Sequence, residues 1–112
     1  MNKYFNREEF ACSCGCGFNT VDADLLAMLT RIRTYFNKPV VITSGCRCQS
    51  YNERVGGSYN SQHKLGRAAD IIVKDIDPEE VAIFARTINE DGGVGSYSTF
   101  THIDSRCGRA RW

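Results

Sequence analysis

The chain has 112 residues, 42% of them hydrophobic and 24% charged, and its 14 basic and 13 acidic side chains leave a formal charge of +1. That is material for one globular core and too little for two. So near-neutral a balance excludes a nucleic-acid partner held by bulk charge, and no apolar run approaches the roughly 20 residues that span a bilayer.

The opening stretch, Met1 to Glu9, is polar and shows no apolar signal region, so no standard cleaved export signal is expected. The cluster Cys12-Ser-Cys-Gly-Cys-Gly17 predicts irregular structure, and residues 1–20 are expected to pack on a single domain spanning 1–112. From Asp22, a plausible N-cap, Leu25, Leu26, Met28, Leu29, Ile32, Tyr35 and Phe36 recur at three- and four-residue steps. They predict a helix with one broad apolar face, stopped by Pro39. Pro39 to Thr43 predicts a buried strand ending at Ser44-Gly45. Residues 46–67 lack periodicity and predict a long loop with room for one short helix, a feature more often functional than idle in a small domain. Ala68 to Val73 predicts the second strand. Asp77, Pro78 and Glu80 supply an N-cap, a first-turn proline and a capping-box acid for a second helix through Val81, Phe84, Ala85 and Ile88, ended by Gly92-Gly93. Val94–Tyr97 and Phe100–Asp104 predict a hairpin. The order implies an α+β domain with a small antiparallel sheet, two main helices and a long loop.

Six cysteines stand at positions 12, 14, 16, 46, 48 and 107. Three readings stay open: disulfide staples, reduced thiols, or a metal site in which Cys12, Cys14 and Cys16 meet Cys48. Against the last, structural zinc usually places two to four residues between paired cysteines, and a C-x-C spacing is tighter. On the disulfide reading, Cys12 or Cys14 would bond Cys48.

There are two histidines, His63 and His102. Asp70 lies inside an apolar strand, where a carboxylate is costly unless paired or metal-bound. Period-two alternation puts Ala68, Asp70 and Ile72 on one face, and Phe100, His102 and Asp104 on one face of the hairpin. If those faces meet, His63, Asp70 and His102 form a site of two imidazoles and one carboxylate, the donor set of a catalytic zinc with an open position. The plainer alternative is a pair of surface or core histidines, with Asp70 accepting bonds from loop amides.

Ser44-Gly-Cys-Arg47, Asn52, Val55-Gly-Gly57, Ser61-Gln-His63, Gly66-Arg-Ala-Ala-Asp70, Gly93-Val-Gly95 and Phe100-Thr-His-Ile-Asp-x-Arg106 occur in this order. Together they resemble the D-Ala-D-Ala carboxypeptidase-like zinc peptidases of family M15, in particular the small single-domain branch acting on bacterial cell-wall peptides. The resemblance implies the α+β core shared with hedgehog signalling domains, and one catalytic Zn2+ on His63, Asp70 and His102. It implies Arg47 facing the substrate, with Ser61, Gln62 and Tyr97 beside it. One departure stands out. Many relatives place an acid or histidine two or three residues before the last ligand as general base, where this chain has Thr99 and Phe100. Asp104 is the nearest replacement, either as base or as a support that orients an imidazole; a different alignment makes Asp104 the ligand and His102 the base. The function implied is zinc-dependent hydrolysis of peptidoglycan stem peptides or cross-links by a monomer with no nucleic-acid partner, as in a phage lysis or tail enzyme or a bacterial wall enzyme. The rivals are an inactive wall-binding module on the same fold and a cysteine-rich interaction domain.

Overall fold

Asp22 begins the first helix by accepting the amides of Asp24 and Leu25 at 3.2 and 3.3 Å, and α1 runs Ala23–Phe36 with Leu25, Leu29 and Ile32 buried. Asn37 closes it in the left-handed region (φ 51°) before Pro39, a conformation asparagine tolerates better than most residues. The computed structural model describes all of residues 1–112. After α1 come β1 (Val40–Ser44), α2 (Gln49–Arg54), β2 (Ala68–Val73), α3 (Pro78–Ile88), β3 (Gly93–Ser96), β4 (Thr101–Asp104) and β5 (Ala110–Arg111), with 3-10 turns at Arg7–Phe10 and Gln62–Leu65. No helix is long and apolar enough to cross a membrane.

The five strands form one sheet in the order β1-β2-β4-β3-β5. Pairing is antiparallel except at β5, which runs parallel to β3. The α+β architecture, the two main helices and the hairpin are those the pattern predicts. The edge strand β5 is an addition. Two differences concern element ends. The 46–67 segment carries a 3-10 turn as well as the short helix α2. Gly92-Gly93 is not the helix stop, because α3 already ends at Ile88 and is capped by Asn89, whose side-chain Nδ2 donates to Gly93 O and Asp104 O at 3.1 and 2.8 Å.

The sheet separates two chemistries by face. Ala69, Ile71 and Val73 of β2, Val94 of β3 and Ile103 of β4 join Leu25, Leu29, Ile32, Val81 and Ala85 in one buried cluster under α1 and α3. The N-terminal segment contributes Phe5 and Phe10 to the same cluster. On the opposite face Asp70 pairs directly with His102, and Gly93 and Gly95 of β3 stand across from Asp104 and His102. Neither glycine could carry a side chain, since a Cβ at Gly93 would meet the Asp104 carboxylate and one at Gly95 the Trp112 indole. The second face is thus left open for polar groups.

All six cysteines are free thiols. The disulfide expected between Cys12 or Cys14 and Cys48 is not formed, the Cys14 and Cys48 sulfurs standing 3.7 Å apart against a bond length of about 2.0 Å.

Candidate metal centre

His63 is placed by the 3-10 turn Gln62–Leu65. Ser61 caps that turn by accepting the His63 amide at 3.2 Å, and Gly66 leaves it in a left-handed conformation. The ring is buried, with Nδ1 2.6 Å from Gly45 O. A carbonyl can only accept, so Nδ1 carries the proton and the lone pair of Nε2 faces away, toward Asp70 Oδ1 at 3.3 Å. His102 is fixed from its other side. Its Nε2 lies 2.7 Å from Asp104 Oδ2, and its Nδ1 lies 2.9 Å from Asp70 Oδ1.

The fold therefore brings His63, Asp70 and His102 together, their candidate ligand atoms all within 4.8 Å of one another and the two rings 5.2 Å between centroids. A tetrahedral ion with bonds of about 2.0–2.1 Å separates its ligand atoms by about 3.3 Å, so these residues fit a metal with little adjustment. Asp104 does not join them. It is wholly buried on the far side of His102, where Gly93 N, Arg106 N and Arg106 Nε donate to Oδ1 and Arg106 Nη2 donates to Oδ2.

Burial alone would raise the pKa values of Asp70 and Asp104. The bonds from His102 outweigh it, helped by His63 at Asp70 and by Arg106 at Asp104, and hold both carboxyls well below the usual range. Burial would likewise lower His102, yet the two carboxylates win and raise its pKa. Its ring is held between two carboxylates, which favour the charged form.

Arg47 follows β1 and enters the site along the loop. Its amide donates to His63 O at 2.9 Å, its Nε to Ser44 Oγ at 3.3 Å and its Nη1 to Asn52 Oδ1 at 3.2 Å, while Nη2 lies 3.5 Å from Asp70 Oδ2. Asn52, buried on α2, also donates to Ser58 O at 2.9 Å and so ties the two limbs of the loop together. Gly57 lies so close to Asn52 and Arg47 that a Cβ there would collide with both.

These groups open into a cleft of about 470 Å3. Arg47, Ser61, Gln62 and Tyr97 all line it, as do the three candidate ligands, and Asp70 is the one carboxylate among its lining residues. Gln62 Oε1 is buried without a hydrogen-bond partner. Sequence reasoning misses Trp112. The pairing of β5 with β3 seats its indole 4.9 Å from the His102 ring, where Nε1 donates to Tyr97 Oη at 2.7 Å. With Phe100 stacked on Tyr97 at 4.3 Å, the three aromatics wall one side of the cleft.

A sequence-family model described as Peptidase M15 matches residues 3–104, a span that includes all three candidate ligands. Among curated proteins none matches the chain.

Two outcomes follow from this geometry. A metal held through His102 would compete with a proton for the ring, whose pKa lies above the ordinary histidine value. Apparent zinc affinity, measured by competition with a chromophoric chelator, should fall about tenfold per pH unit on acidification, starting at a pH above about 6.5. Asp104→Asn removes the acceptor that orients the His102 ring and raises its donor strength; at a pH where the ring is neutral in both proteins it should weaken zinc binding about 10–100-fold, with activity returning at high metal concentration.

Proposed function

The chain belongs to the peptidase M15 family, and from that premise we propose that it is a zinc-dependent peptidase acting on the peptides of bacterial peptidoglycan. The observation that carries this reading is the pair of tautomer locks. Gly45 O on His63 Nδ1 and Asp104 on His102 Nε2 leave one nitrogen of each ring facing Asp70 Oδ1. The residues that would hold the ion are His63 through Nε2, His102 through Nδ1, and Asp70. Bound there, zinc supplies a Lewis acid for the scissile carbonyl and activates water near neutral pH.

The chain's own groups do the rest. Arg47 offers a guanidinium fork to a substrate carboxylate or to the oxygen that gains charge during attack. A terminal carboxylate is what a short wall stem peptide carries, which supports that substrate class. Ser61, Gln62 and Tyr97 line the same cleft and present polar groups to a peptide backbone. Asp104 is assigned to orienting His102 and increasing its basicity, since both oxygens are engaged and the residue has no exposure.

A second reading has one observation in its favour. No carboxylate other than Asp70 lines the cleft, so a wall-binding module that holds metal without turnover would have the same appearance. Purified peptidoglycan separates the two. The enzyme reading expects turbidity to fall and new amino groups to appear, both abolished by chelator and restored by zinc. Metal-loaded protein that binds wall without releasing amines, over several wall chemotypes, would overturn it. Within the enzyme reading, Arg47→Lys keeps the charge and loses the fork, and kcat/KM should drop roughly 10²–10³-fold with zinc content unchanged. Wild-type turnover in that variant would remove Arg47 from the mechanism.

A further inference from the structure

On the other side of Arg47 lies a second cluster of metal-ligating atoms. We propose that Cys12, Cys14, Cys16 and Cys48 bind a structural zinc ion that fastens the N-terminal segment to the start of the 46–67 loop. The four sulfurs all lie within 4.8 Å of one another, with Cys12 and Cys14 at 3.5 Å and Cys14 and Cys48 at 3.7 Å. Zinc–thiolate bonds of about 2.3 Å in a tetrahedron place neighbouring sulfurs about 3.8 Å apart. Those two separations are close to a tetrahedron edge, and a set of four thiolates is the donor type that selects zinc over harder ions.

The backbone accounts for the tight C-x-C-x-C spacing. Gly15 and Gly17 sit at φ 84° and 91°, left-handed values that glycine adopts at little cost. Gly15 N closes a turn on Cys12 O at 3.1 Å, and Cys12 N closes the whole segment on Phe18 O at 2.8 Å. With the chain folded back twice, three alternate cysteines meet a fourth that is distant in sequence. The Cys48 amide points at Cys12 Sγ from 3.4 Å, a donor that stabilises sulfur carrying negative charge.

Burial argues for the same assignment. Cys12 is buried, Cys14 and Cys48 are half-buried, and Cys16 is exposed, so packing explains the first and does not explain the last. Cys46 provides the contrast. It lies two residues from Cys48, yet its thiol donates to Phe10 O and Phe18 O at 3.2 and 2.9 Å, which marks it as a protonated core residue. Cys48 precedes α2 and adjoins Arg47, so an ion here would hold the loop that carries the arginine.

The test uses zinc itself, on the intact chain. Native mass spectrometry should find two zinc ions on wild type, one on the His63→Ala/His102→Ala variant, and loss of that last ion when Cys14→Ser and Cys48→Ser are added. Cobalt in the histidine variant should give a thiolate-to-metal charge-transfer band. Should the cysteine variant fail to fold, alkylation of metal-loaded wild type decides the matter. Cys16 and Cys107 are both exposed, so burial predicts equal labelling, whereas bound zinc protects Cys16 until chelator is added. Equal labelling of the two in metal-loaded protein, a disulfide within the cluster, or a histidine variant that holds no metal would each overturn the proposal.

Discussion

A carboxylate in the middle of a central strand organises this protein. Asp70 is nearly buried between Ala69 and Ile71, two members of the apolar core, where an uncompensated charge would cost several kcal/mol. Two imidazoles and a guanidinium surround it, and each comes from a different part of the chain. Arg47 arrives from the end of β1, His63 from the loop and His102 from the strand alongside. Removing any one partner leaves the carboxylate less compensated, so the loop, the turn and the strand register are tied to one another through a single side chain. The two imidazoles that offset this burial are, once neutral, nitrogen ligands that a divalent metal could share with the carboxylate.

Charge alternates outward from that centre along Arg47, Asp70, His102, Asp104 and Arg106, each in contact with the next. The terminal arginine donates to both oxygens of Asp104, and one of them, Oδ2, also holds the imidazole ring. Gly93 makes this line possible. Without a side chain, it lets Asp104 sit under the sheet surface and donates its own amide to the carboxylate. The role of Asp104 is therefore set by the residue across from it, on a neighbouring strand.

That dependence explains which features are legible in the sequence. The α1 stripe, the Asp77-Pro78 helix start and the alternation around Asp70 and His102 are local patterns, and the structure has all three. The direct pairing of Asp70 with His102 follows once the two faces meet. Strand β5 is illegible because Ala110-Arg111 has neither length nor alternation, and pairing with β3 alone makes it a strand. Trp112, carried into the cleft by that strand, is hidden for the same reason. Asp104 shares a face with His102 by period two, but strand rise alone cannot tell a carboxylate reaching into the cleft from one tucked behind the ring. Gly92-Gly93 is misread as a helix stop because a glycine needed for space looks like a glycine needed for conformation.

The bracing of Arg47 has an entropic side. A free arginine has about 2 kcal/mol of rotamer entropy to lose on being fixed, and a ligand that had to fix it would bind more weakly for that reason. Here Ser44, Asn52 and Asp70 already hold the guanidinium, so most of that ordering is completed during folding. The corresponding cost is tolerance. A guanidinium fixed in this way has one position and little freedom to follow a partner that arrives elsewhere.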